Sequence, residues 1–120
     1  MKVLFLIEDG PDIITLWRRH VQRFPDQIRL VTASTFAEVD TVLETETFFD
    51  LVVMDGMIGG KQGDTVPLVQ KIREVFKGPM VAASSDPKSV TELMEAGCDL
   101  GAKSKVMAIN IVLHELGLNG

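Results

Sequence analysis

Leu51-Val52-Val53-Met54-Asp55 is an unbroken apolar run that ends in a carboxylate and opens into the glycine-rich segment Gly56 to Gly63. Near the N-terminus, Val3-Leu4-Phe5-Leu6-Ile7 ends the same way, in Glu8-Asp9-Gly10. Continuous apolar runs of this length suit parallel strands covered on both faces. In an open α/β sheet, chemistry collects in the crevice beyond the carboxyl ends of such strands. Two strands that deliver acids to that edge therefore predict a cluster of three carboxylates, Glu8, Asp9 and Asp55. Such a cluster is costly unless a cation neutralises it, which makes a divalent metal the first functional expectation.

The chain has 120 residues, read as one domain, 1–120, large enough to bury a core without disulfides or a structural metal. Hydrophobic residues at 46% and charged residues at 24% are ordinary for a globular protein. A formal net charge of -5 argues against a general nucleic-acid or anionic-membrane surface. No apolar run approaches the roughly 20 residues that span a bilayer. The Met1 to Ile7 stretch meets Glu8-Asp9 too soon for a signal peptide and has no small-residue cleavage site. The single cysteine, Cys98, excludes an internal disulfide and fits a reducing compartment, so a cytoplasmic protein is expected.

The rest of the chain alternates strand and helix signals. Pro11 suits a first helical position, and Ile13, Ile14, Trp17, Val21 and Phe24 recur at helical spacing up to Pro25. Arg18, Arg19 and Arg23 form its solvated side, and Trp17 its core side. Ile28 to Ala33 reads as a second strand, and Thr35-Phe36-Ala37-Glu38 as a capping box that opens a helix to about Glu46. Leu51 to Asp55 is the third strand. Asp64 is read as the cap of a helix from Thr65 to about Phe76. Met80 to Ser84 is the fourth strand, followed by the cap Asp86, Pro87 at the first helical position and a helix ending at Ala96-Gly97. A short fifth strand, Leu100 to Lys103, precedes a last helix from Val106 to Leu116. Five βα units in this order imply a parallel sheet with right-handed crossovers and helices on both faces.

These residues together resemble the receiver domain of the two-component response regulators, over essentially the whole chain. Glu8-Asp9 is similar to that family's acidic pair after the first strand, and Asp55 to its phosphoacceptor aspartate after the third. Gly63 lies eight positions beyond Asp55, where the family commonly has a loop glycine. Pro79 to Ser85 resembles the fourth strand with its terminal hydroxyl, and Gly97-Cys98-Asp99 followed by Lys103 resembles the approach to the pocket lysine. The resemblance implies an α/β, doubly wound, five-stranded parallel sheet of flavodoxin-like (βα)5 type, with strand order 2-1-3-4-5.

It also implies a function: a stand-alone bacterial response regulator receiver without an output domain. In it, Asp55 would accept a phosphoryl group from a histidine kinase or phosphotransfer protein, Mg²⁺-dependently. The metal would be held by Glu8, Asp9, Asp55 and the backbone carbonyl of Met57, with Ser84 and Lys103 contacting the phosphoryl oxygens. Lys103 is favoured as that lysine although it lies one residue closer to Gly97 than is common, and Lys105 is close by. The switch would act on an unidentified downstream protein, with no nucleic-acid or membrane partner, as a monomer or weak homodimer. The alternative is a degenerate receiver that serves as a phosphorylation-independent interaction module. A flavin protein would want a Ser/Thr/Gly-rich loop where Gly10-Pro11-Asp12 stands, and a haloacid-type phosphatase a second Asp at Met57. His20 and His114 are read as surface or packing residues of amphipathic helices.

Departures from the family pattern concern the switch. Gly59 replaces the proline usual four positions after the acceptor, so the loop from Gly56 to Gly63 is expected to be mobile. Ser85 stands where a small alanine is common, and Ser104 where a proline follows the lysine. No aromatic residue precedes the lysine by three positions, and the chain has no Tyr at all.

Overall fold

Three strands form the centre of the sheet because their sequences are apolar on both faces: β1 (Lys2–Ile7), β3 (Leu51–Asp55) and β4 (Met80–Ala83). From Leu4 to Ile7, Leu51 to Met54 and Met80 to Ala83, every side chain is buried. β2 (Ile28–Ala33) and β5 (Leu100–Ala102) are the more exposed edges. The computed structural model describes residues 1–46 and 48–118. Every pairing is parallel, in the order β2-β1-β3-β4-β5, the doubly wound order implied by the sequence resemblance.

Four helices make the crossovers, α1 (Pro11–Val21), α2 (Phe36–Thr45), α3 (Val66–Arg73) and α4 (Pro87–Ala96), and α5 (Lys105–Glu115) follows the last strand. Strand alternation splits the core into two layers. Phe5, Ile7, Val52, Met54 and Met80 meet Val39, Val69, Ile72 and Leu93 of α2, α3 and α4. Leu4, Leu6, Leu51, Val53 and Val81 meet Trp17, Ile109 and Val112 of α1 and α5.

Most boundaries follow local chemistry, and the exceptions have local causes. α1 stops at Val21 rather than Phe24, because the backbone tightens to three-residue hydrogen bonds, Arg23 to His20 and Phe24 to Val21, ahead of Pro25. Thr35 caps α2 by accepting from the Glu38 amide at 3.1 Å. The return arm of Glu38 reaches the amide of Ser34, one residue outside the usual capping box. β4 ends at Ala83 and β5 at Ala102, each one residue earlier than expected, while α5 begins one residue earlier, at Lys105, capped by Ser104.

Asp64 does not cap α3. Thr65 occupies that position without a side-chain cap bond. The Asp64 carboxylate instead accepts the amides of Ile58 (3.0 Å), Gly59 (2.7 Å) and Lys61 (3.2 Å). The glycine-rich loop expected to be mobile is therefore tied at three amides to the start of α3. A Cβ on Gly59 would lie 2.6 Å from Phe36 Cε2 and 2.9 Å from Asp64 Oδ2, so a side chain there would have to displace them.

Thr65 is fully buried, and its hydroxyl has no hydrogen-bond partner among the described residues. An unmade bond of this kind costs about 1–3 kcal/mol. Thr65→Val keeps the shape and removes the unpaired group, so urea denaturation should show it more stable by about 1 kcal/mol. A clear loss of stability would mean that the hydroxyl is bonded after all.

Candidate functional site

β1 and β3 are neighbours in parallel register, with Ile7 opposite Met54, so the residues that follow them emerge together at the carboxyl edge. Glu8, Asp9 and Asp55 converge there, with one oxygen of each lying within 4.8 Å of the others. Glu8 is only 4% exposed, Asp55 is half-buried and Asp9 faces solvent.

The ammonium that joins them comes from Lys105. Its Nζ lies 2.8 Å from Glu8 Oε1 and 3.0 Å from Asp55 Oδ1, and donates to the Ala83 carbonyl at 2.9 Å. An ammonium has three protons, and here each has an acceptor. The expectation for Lys103 is corrected on this point: Lys103 is exposed and makes no ion pair among the described residues. β5 ends with Ala102 fully buried, so alternation turns the next side chain outward. Ser104 then caps α5, and the first residue of that helix, Lys105, delivers its side chain to the acids.

Ser84 is buried at the end of β4, and its Oγ accepts the Asp86 amide at 3.1 Å. The acids, Ser84 and Lys105 line one cleft of about 430 Å³, together with Met57, which is 42% exposed. Gln62, Asp86 and Ser89 also line it, and none of them was legible as a site residue. Asp86 was readable only as a helix cap, whereas Gln62 and Ser89 carried no signal. A slightly larger cleft of about 460 Å³ lies near the C-terminal ends of α2 and α3, lined by Phe48, Phe49 and Val75. Its acids serve elsewhere: Glu46 pairs with Arg29 at 2.7 Å, and Asp50 accepts the Val3 amide. The chemistry-bearing groups mark the first cleft as the site. His20 hydrogen-bonds the Leu16 carbonyl within α1, and His114 is exposed on α5; neither lines the cleft. Cys98 is buried, and burial pushes its thiol up to about 12.

No family model matches the chain, and no curated protein matches it. Solved structures do. A two-component response regulator from Clostridium difficile is 16% identical, with a TM-score of 0.79 over 98% of this chain and 97% of that one. A response regulator from Burkholderia pseudomallei, solved with a phosphorylated aspartic acid, calcium ion and citrate, is 15% identical. Its TM-score is 0.78, over 97% of this chain and 66% of that one. A response regulator receiver domain protein from Methanospirillum hungatei is 20% identical, with a TM-score of 0.69 over 98% of this chain and 94% of that one. The fold is that of a receiver domain. Identity this low carries the fold alone, so the chemistry of this receiver fold rests on its own residues.

The electrostatics of the cleft are unequal. Burial pushes the Asp55 carboxyl up to about 7 against the attraction of Lys105, and the hydrogen bond and charge of Glu8 add to the rise. Burial also opposes ionisation of Glu8, but hydrogen bonds from Lys105 and Asp55 outweigh it and hold that carboxyl below its ordinary value. The Lys105 ammonium is disfavoured by burial, yet Glu8 and Asp55 more than compensate and raise its pKa. The surroundings thus favour the proton on Asp55 over Glu8.

Two predictions follow from this arrangement. Removing a paired ammonium from two buried acids costs on the order of 3 kcal/mol. Lys105→Met should therefore lower stability clearly in thermal or urea unfolding, while Lys103→Ala leaves it unchanged; the reverse pattern would return Lys103 to the site. Asp55 has a folded pKa near 7, above its unfolded value of 3.8. The folded chain therefore binds more protons between those values, and stability falls as pH rises through that window. Asp55→Asn removes this penalty. Its Tm should exceed that of the native chain at pH 8 without added metal, and the gap should close near pH 4. Equal melting at both pH values would mean that Asp55 ionises without strain.

Proposed function

We propose that the chain is a phosphorylatable receiver, with Asp55 accepting a phosphoryl group from a phosphohistidine or a small acyl phosphate. The observation that carries this reading is the Lys105 ammonium held between Glu8 and Asp55 at the carboxyl edge of β1 and β3, with Asp9 and Ser84 beside it. Few structural roles need three acids and a lysine converging on the edge where α/β sheets bind ligands. The Burkholderia pseudomallei response regulator, solved with a phosphorylated aspartic acid and a calcium ion, supports carrying the reading to this cleft.

In the transfer, an Asp55 oxygen forms the new bond to phosphorus. The bond from phosphorus to the donor nitrogen, or to the acyl oxygen, breaks, and its electron pair leaves with the donor. Lys105 keeps one ammonium proton on Asp55 and remains available as a compact positive charge for the phosphoryl oxygens. The Ser84 oxygen accepts the Asp86 amide, so its own proton is free to be donated to the phosphoryl group.

The cleft fits a divalent cation. Glu8, Asp9 and Asp55 bring carboxylate oxygens together as Mg²⁺ prefers, and the Met57 carbonyl would add a fourth oxygen. Three carboxylates against one ammonium leave a formal charge that a divalent ion balances. When bound, the ion would lower the Asp55 pKa and screen the acceptor from the incoming phosphoryl charge. Acting on another protein, a kinase or phosphotransfer protein upstream and a protein target downstream, is the output this reading implies.

Intact mass after incubation with acetyl phosphate tests it. One phosphoryl adduct is expected with Mg²⁺, none without it and none in Asp55→Asn. An adduct that survives in Asp55→Asn, or no adduct in the native chain with Mg²⁺, would overturn the assignment.

A further inference from the structure

Gln62 belongs to the loop after β3, yet its side chain bonds to the loop after β4. Its Nε2 donates to Asp86 Oδ2 at 3.0 Å. The same oxygen accepts from Ser89 Oγ at 3.2 Å, while Oδ1 caps α4 through the Lys88 amide at 3.1 Å. The Asp86 amide in turn donates to Ser84 Oγ. An unbroken line of hydrogen bonds thus runs from Gln62 through Asp86 to the hydroxyl at the end of β4. It joins the two loops that leave the strands of Asp55 and Ser84, and Gln62, Asp86 and Ser89 all line the cleft with Asp55 and Lys105.

The base of this bridge is held in place. On either side of Gln62, the Lys61 amide donates to Asp64 Oδ2, and the Asp64 amide donates to the Lys61 carbonyl. Close packing lies beneath it, where a Cβ on Gly56 would fall 2.9 Å from Ser89 Cβ. Asp86 completes its cap of α4 without Gln62, and Gln62 itself is exposed. The bond between them therefore serves neither the cap nor the core. What it does join is two loops that line the cleft.

We propose that Gln62 is a positioning residue: its bond to Asp86 straps the two loops across the cleft and limits both phosphoryl arrival at Asp55 and phosphoryl loss to water. The proposal rests on the reading of Asp55 as the phosphoacceptor and concerns the rates at that site. Transfer to Asp55 and hydrolysis of the product are both in-line displacements at the same phosphorus. Gln62, Asp86 and Asp55 line one cleft, and in this proposal donor and water reach the phosphorus through that cleft, past the strap. When only the open form reacts, each rate scales with the fraction of open molecules. Loss of the strap then raises both rates by one common factor, whereas a change in local charge alone has no reason to do so. For a hydrogen bond to a charged acceptor at an exposed position, roughly three- to tenfold is expected.

The test uses the full chain in its native form, as Gln62→Ala, and as Gln62→Glu, which keeps the side-chain size but cannot donate to Asp86. Acetyl phosphate with Mg²⁺ gives the uptake rate by intact mass, and removal of the donor gives the decay rate. Both rates should rise in both variants by about the same factor, roughly three- to tenfold, with Tm unchanged. A native chain that is phosphorylated, with variants whose rates are unchanged or move apart, would overturn the strap and leave the acceptor reading standing. A native chain that takes up no phosphoryl group would overturn both.

Discussion

The ammonium of Lys105 holds the working edge of this fold together. It binds the acid that follows β1, the last residue of β3 and the carbonyl that ends β4, and it does so from the first turn of α5. Two carboxylates brought together by parallel register would otherwise repel each other in a half-buried cleft. The lysine makes their convergence tolerable and ties four elements to one point. It neutralises only part of the formal charge of Glu8, Asp9 and Asp55.

The second constraint is the loop after β3. A proline would normally stiffen it at position 59, and glycine there suggests slack. The structure replaces backbone stiffness with a carboxylate: Asp64 gathers three amides, one of them that of Gly59, which a proline could not supply. Phe36 packs against the same glycine, so that a side chain there would have to displace its ring. Rigidity thus comes from hydrogen bonding and packing, and Gln62 is presented to the neighbouring loop from a fixed base.

The shared fold and the chemistry stand on different grounds. Solved response regulators at 15%, 16% and 20% identity have the same architecture, which is what five βα units with apolar central strands enforce. The acids, the lysine and the hydroxyl reach one cleft because the strands that carry them are adjacent in that architecture. At Gly59, where the sequence resemblance would have a proline, the Asp64 carboxylate holds the loop instead.

From the sequence alone, the strands, the helices and the acids at the sheet edge were all legible. Apolar runs that end in carboxylates, caps such as Thr35 and Asp86, and breaks at Pro25 and Gly78-Pro79 are local signals that burial and backbone geometry make reliable. The strand order came from resemblance, and the structure has the same order. The pocket lysine was decided only by the tertiary structure. The short strand Leu100-Gly101-Ala102 favours Lys103 in spite of its short spacing from Gly97, but side-chain direction depends on where β5 stops and where Ser104 caps α5. Asp64 and Gln62 lay beyond sequence reading for the same kind of reason. Asp64 finds its partners only when its own loop folds back on itself, and Gln62 only once the sheet has brought β3 and β4 side by side.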